Sequence, residues 1–85
     1  MEATDLKVGN TYRAKKPAPA GSMFKPVYND RQILWISMDK SIVQYDGPAV
    51  PFGRRFPKIS IEKFLRWAGE DVTAEQDSCD WTPFP

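Results

Sequence analysis

Histidine is absent from this 85-residue chain, and Cys79 is its one cysteine. Without an imidazole, neither a Ser-His nor a Cys-His nucleophile pair can be built. One thiol cannot close an internal disulfide, and it cannot supply the several Cys or His ligands of a structural zinc site. No phosphate-cradling Gly-rich loop, dinucleotide fingerprint or EF-hand loop occurs. Carboxylate pairs exist only as Glu70-Asp71 and within the acidic end of the chain. Solvated acids are the simplest reading there, and Cys79 in its polar setting reads as an incidental thiol. These residue types point away from catalysis. No cofactor and no metal are expected, and the expected activity is binding.

Three groups of residues have the chemistry of a binding surface. Phe52-Gly53-Arg54-Arg55-Phe56-Pro57-Lys58 sets adjacent arginines between phenylalanines in a Gly/Pro-rich loop. Its cations could neutralise phosphate while its rings stack on bases; alternatively, both rings plug the core and the arginines are solvated. Met23 and Phe24 lie in a second loop, either anchoring it or awaiting a partner. Trp67 and Trp81 complete the candidate set. Trp67 lies about 60° from Phe64 on a helical wheel, at the margin of an apolar stripe. The ending Trp81-Thr82-Pro83-Phe84-Pro85 either docks on the domain or presents a linear motif. Docking is the expectation, because burying a large apolar side chain contributes about 1.5 to 3 kcal/mol.

Charge sharpens the choice of partner. Residues 7–66 hold all twelve Lys and Arg against four acids, a net +8, while Glu2 and Asp5 precede them and five acids follow Trp67. The overall +1 therefore conceals a basic body with an acidic end. A protein partner or self-association is the leading expectation, with nucleic acid as the alternative partner of the basic body. A membrane partner is not expected, since no apolar run reaches the roughly 18 to 20 residues of a spanning helix. Met1-Glu2-Ala3-Thr4-Asp5 does not read as a signal peptide, and no disulfide framework exists, so a cytoplasmic location is expected.

The elements that position these residues follow from periodicity. Thr11–Lys15 alternates as a strand, with Tyr12 and Ala14 on one face. Pro17, Pro19, Gly21 and Pro26 mark 16–26 as a loop of about ten residues. Arg31–Met38 is the clearest strand. Simple alternation groups Leu34, Ile36 and Met38 on one face, and Ile33 with Trp35 on the other. A tight turn over Met38–Ser41 leads to the partner strand Ser41–Asp46. After a Gly/Pro loop, Lys58-Ile59 reads as a short edge strand. Ser60 then caps a two-turn helix whose Ile61, Phe64, Leu65 and Ala68 share a face, with Gly69 as its stop. The expected organisation is a domain over 1–69 and an acidic, Pro/aromatic tail over 70–85.

This order gives a mainly β fold with one short α-helix. It resembles the SH3-like small barrels over residues 6–68, in its long first loop and tight central hairpin. The resemblance implies binding through grooves between loops, at Met23, Phe24, Phe52, Arg54, Arg55, Phe56, Trp67 and Trp81. The chain also resembles, in size, the orphan proteins of prophages and integron gene cassettes, which implies an accessory protein of a mobile element. Val43-Gln44-Tyr45 is similar to the pore-lining Val-Gln-Ile-Tyr of the type II dihydrofolate reductases. The missing Ile would reverse the side-chain faces, so that activity is not expected.

Overall fold

The computed structural model describes residues 1–50, 53, 55–75 and 81–85. Seven strands and one α-helix are formed among them. Five strands make one antiparallel sheet: β1 (Thr11–Ala14), β4 (Arg31–Ile36), β5 (Ile42–Asp46), β6 (Lys58–Ser60) and β7 (Ala68–Asp71). Their order is β6-β5-β4-β1-β7. The sheet is not closed into a barrel, and β6 and β7 form its two edges. The helix α1 (Ile61–Trp67) connects those edges and packs Ile61 and Phe64 into the core.

That core joins Leu6, Tyr12, Ile33, Val43, Tyr45, Ile61, Phe64 and Ala68. Rings hold its centre. Phe64 meets Tyr12 edge-on at 5.7 Å, Tyr45 at 6.2 Å and Trp67 at 5.3 Å. Such pairs add about 0.5 to 1.5 kcal/mol beyond area burial, which matters in a domain this small. The buried Tyr12 hydroxyl is satisfied twice. It donates to the Asp5 carbonyl and accepts from the Lys7 amide, each at 3.0 Å. The N-terminal 3-10 turn, Ala3–Asp5, is thereby tied to β1.

The central hairpin and the capped helix form where the sequence places them. The β4–β5 turn is knitted by side chains: the hydroxyls of Ser37 and Ser41 both donate to Asp39 Oδ1 at 2.7 Å. Lys40 takes a φ of 57° inside it. Ser60 Oγ accepts from the Lys63 amide at 3.2 Å, the expected N-cap.

Four local expectations are corrected. First, alternation along β4 is broken. Ile33 pairs with Tyr45 and Trp35 with Gln44, so Leu34 is an extra residue in a β-bulge. Ile33 and Ile36 consequently both meet the core, while Trp35 turns outward, away from the face that Ile33 occupies. Met38 leaves the strand altogether and stands fully exposed in the turn. Second, the 16–26 loop contains structure. β2 (Pro19–Gly21) and β3 (Pro26–Tyr28) pair as a separate two-stranded sheet. Prolines are tolerated there because Pro19 and Pro26 each open their strand, where a missing N–H costs no interior ladder bond.

Third, Gly69 does not stop the helix. The chain passes directly from Trp67 into β7, with Ala68 as C-cap. Glycine suits the position because β7 runs close to β1: a Cβ at position 69 would lie 3.0 Å from Lys15 Cα and 3.2 Å from its nitrogen, tighter than ordinary contact. Fourth, the sheet continues beyond residue 69. Glu70 and Asp71 pair with Arg13 and Tyr12, and Val72 is fully buried.

Candidate functional site

β2 and β3 make a hairpin arm whose tip, residues 22–25, carries Met23 and Phe24. These side chains are 96% and 95% exposed. Ser22 Oγ accepts from the Phe24 amide at 3.1 Å, and Gly21 supplies a φ of +81° at the turn into the tip. Glycine adopts that conformation without the steric cost of a Cβ. The arm thus holds two large apolar side chains in water on a hydrogen-bonded support.

The base of the arm is fastened by a buried ion pair. Arg13 Nε and Nη2 donate to the two carboxylate oxygens of Asp30 at 3.1 and 3.2 Å. Arg13 and Asp30 are 7% and 1% exposed. The same guanidinium lies 3.7 Å from the centroid of Tyr28 in β3. Burial opposes the Arg13 charge, but the hydrogen bonds and charge of Asp30, joined by Glu75, outweigh it and raise its pKa. The Glu75 contact is long, at 3.8 Å, and exposed, so it adds little. No local pattern in the sequence links Arg13 to Asp30. The pair exists because the arm returns the chain to its starting point.

The C-terminal segment braces the arm from its other edge. The Tyr28 amide donates to the Thr82 carbonyl at 2.9 Å, and the Phe84 amide donates to the Pro26 carbonyl at 3.0 Å. Val27 and Pro83 form an antiparallel bridge, and Phe84 meets Tyr28 at 5.0 Å. The expected docking of the chain end is therefore seen, on the arm. Trp81 is half-buried and lines a pocket of about 600 Å³ with Lys25, Pro26 and Phe84. A smaller pocket of about 380 Å³ adjoins Met23 and also uses Pro26. Met23, Phe24 and Trp81 are thus brought to one arm.

The remaining candidates lie elsewhere. Trp67 is half-buried at the core margin, against Phe64. Arg55 and Phe56 are exposed. Phe56 is next to the outer face of the sheet, where its carbonyl accepts from Gln44 Nε2 at 3.2 Å. Phe52 and Arg54 fall outside the described residues. Sequence reasoning missed the outward apolar strip made by Trp35 and Ile42 on β4 and β5. It is capped by Lys58, whose ammonium lies 5.0 Å from the Trp35 ring. No local pattern signals this strip, because the bulge that turns Trp35 outward is set by seating both Ile33 and Ile36 against the core.

No group of three or more His, Cys, Asp or Glu side chains is placed to hold a metal among the described residues. No helix there is long and apolar enough to cross a membrane. Comparison with protein-family models, curated proteins and solved structures returned no match.

Proposed function

We propose that this protein is a non-catalytic protein-binding module, an accessory protein built on the plan of an SH3-like barrel. The observation that carries the reading is the arm tip, where Met23 and Phe24 stand almost wholly in water on an ordered hairpin. Burying each in a partner would contribute about 1.5 to 3 kcal/mol, and the arm reduces the ordering cost of presenting them. Lys25 is exposed at the tip, and Lys15 and Lys16 are exposed where the chain leaves β1 for the arm, which suits an acidic partner surface. The barrel plan is supported by the long excursion between β1 and β4, the tight central hairpin and the helix before the last strand. A mobile-element role remains the proposal made by the chain's size and style.

The test places a photo-crosslinking residue at position 24 in native host cells, with crosslinked peptides identified by mass spectrometry. A defined partner protein is expected, and the Met23→Ser, Phe24→Ser double variant should lose it without a change in melting temperature. Crosslinks only to a second copy of the chain would assign the tip to self-association, checked by sedimentation. Crosslinks only to nucleic acid, lost steeply with salt, would replace this reading by the alternative carried by the basic body.

A further inference from the structure

Arg31, at the start of β4, differs from Arg13 in one decisive respect. Its guanidinium carbon lies 4.4 Å from the Tyr45 ring centroid and 4.2 Å from that of Trp67. It has no ion-pair partner among the described residues. Asp30, its neighbour in sequence, has both carboxylate oxygens committed to Arg13. Burial lowers the Arg31 pKa, with Tyr45 opposing the shift. A half-buried cation held on two rings and lacking an anion is costly unless an anion completes it.

The surroundings offer room for one. Arg31 opens on a cleft of about 370 Å³ walled by Tyr45, Gly47, Val50, Arg55 and Pro57, and by Asp30, whose charge is already matched by Arg13. Arg55 brings a second cation, while Val50 and Pro57 are apolar. We propose that this cleft binds a carboxylate, held by Arg31 and drawn in by Arg55. A guanidinium packed against rings keeps its in-plane N–H donors for a planar anion, and a carboxylate accepts two of them in parallel. A half-open cleft with partly apolar walls suits one such group better than the extended phosphate track of a nucleic acid, which needs a row of cations. The carboxylate belongs to a Glu or Asp side chain or to a chain end of the partner. This inference rests on the protein-binding reading for the origin of that group.

The experiment follows the Arg31 Nε–H and Gly47 amide signals of the full chain by NMR. The probes are sodium acetate, an end-capped peptide with one Glu, its Gln counterpart, an acid-free peptide with a free C-terminal carboxylate, and inorganic phosphate. Acetate and at least one carboxylate peptide should give saturable shifts, and the Gln peptide none. The tighter of the two peptides assigns the source. Arg31→Lys, which keeps charge but loses the planar fork, should weaken binding by about tenfold or more. Arg55 is exposed, so Arg55→Gln tests the site without threatening the fold, and it should weaken binding several-fold. No saturable shift with any carboxylate, unchanged affinity in Arg55→Gln, or tighter binding of phosphate than of every carboxylate would overturn the proposal. Acetate does not engage the arm tip, so the two readings fail separately. A silent acetate titration beside an intact tip-dependent crosslink sinks only the cleft.

Discussion

Arg13 and Asp30 tie β1 to the base of the arm, and each satisfies the other where water is excluded. Removing one partner leaves a buried charge alone, which costs about 3 to 5 kcal/mol. Asp30→Ala should therefore approach the whole stability of so small a domain, as read by urea denaturation. Replacing both residues by apolar ones of similar volume should recover much of that loss. Gly47 is constrained at the same place: a Cβ there would lie 2.5 Å from the Asp30 carbonyl oxygen. Gly47→Ala should cost about 1 to 3 kcal/mol, more than Gly69→Ala, where the nearest approach is 3.0 Å. Asp39 sets a pH dependence. Hydrogen bonds from Ser41 and Ser37 hold its carboxyl below the ordinary range. Its contribution is present above the unfolded-state pKa and is lost as pH falls through the lower folded value. Asp39→Asn should flatten the acid side of the melting-temperature profile. Tyr12 acts at the other end: burial raises its pKa, so its contribution is lost as pH rises through that raised value.

At the scale of elements, the arm depends on neighbours it does not adjoin in sequence. Its strands have three residues each, too few for an isolated hairpin to persist in water. The C-terminal segment supplies two backbone hydrogen bonds and the Phe84 ring. Phe84→Ala forfeits an aromatic contact worth about 0.5 to 1.5 kcal/mol together with the apolar area it covers. At about 4 to 8 °C per kcal/mol for a domain of this size, the melting temperature should fall by several degrees. Removing 81–85 should do at least as much and should also speed hydrogen exchange at the Tyr28 amide. An unchanged Tyr28 exchange rate would show that the arm stands without its brace. The helix is a simpler case. It is seven residues long and holds its place through Ile61 and Phe64 and the Ser60 cap. Ser60→Ala should cost about 1 kcal/mol by the same denaturation measurement.

The whole molecule divides its tasks between a sheet that buries the core and an arm that stays outside it. None of the core residues belongs to β2 or β3. Native-state hydrogen exchange should therefore show two levels. Amides of β1, β4 and β5 should exchange by global unfolding, and those of the arm by a smaller, earlier opening. Exchange of Tyr28 and Ile33 at one common free energy would contradict that division. Charge is arranged with the same economy. Glu70 and Asp71 are paired into the sheet beside β1, while Lys25 remains exposed at the arm tip and Lys15 and Lys16 where the chain leaves β1 for the arm. Lys25 thus sets one exposed cation beside the apolar tip.

Periodicity and local chemistry were enough to define the β4–β5 hairpin, the capped helix and the mainly β class, because those features depend on residues within a few positions of each other. The candidates Met23, Phe24 and Arg55 were also legible as apolar or charged residues in Gly/Pro-rich loops. Other features arose from distance. The arm forms only because Asp30 returns to Arg13 and the chain end pairs with β3. The bulge at Leu34 reflects the need to seat both Ile33 and Ile36 in one core, and no strand pattern read alone can weigh that demand. Gly69 looks like a helix stop in sequence, yet its reason is the backbone of Lys15 passing 3.0 Å from where a Cβ would stand. Arg31 reads as the first residue of a strand, and only the fold sets Tyr45 and Trp67 against it and leaves it facing a cleft whose lining acid, Asp30, is committed to Arg13. A linear sequence records which groups are present and how near neighbours repeat; burial and charge pairing across the fold are fixed when distant segments exclude water together.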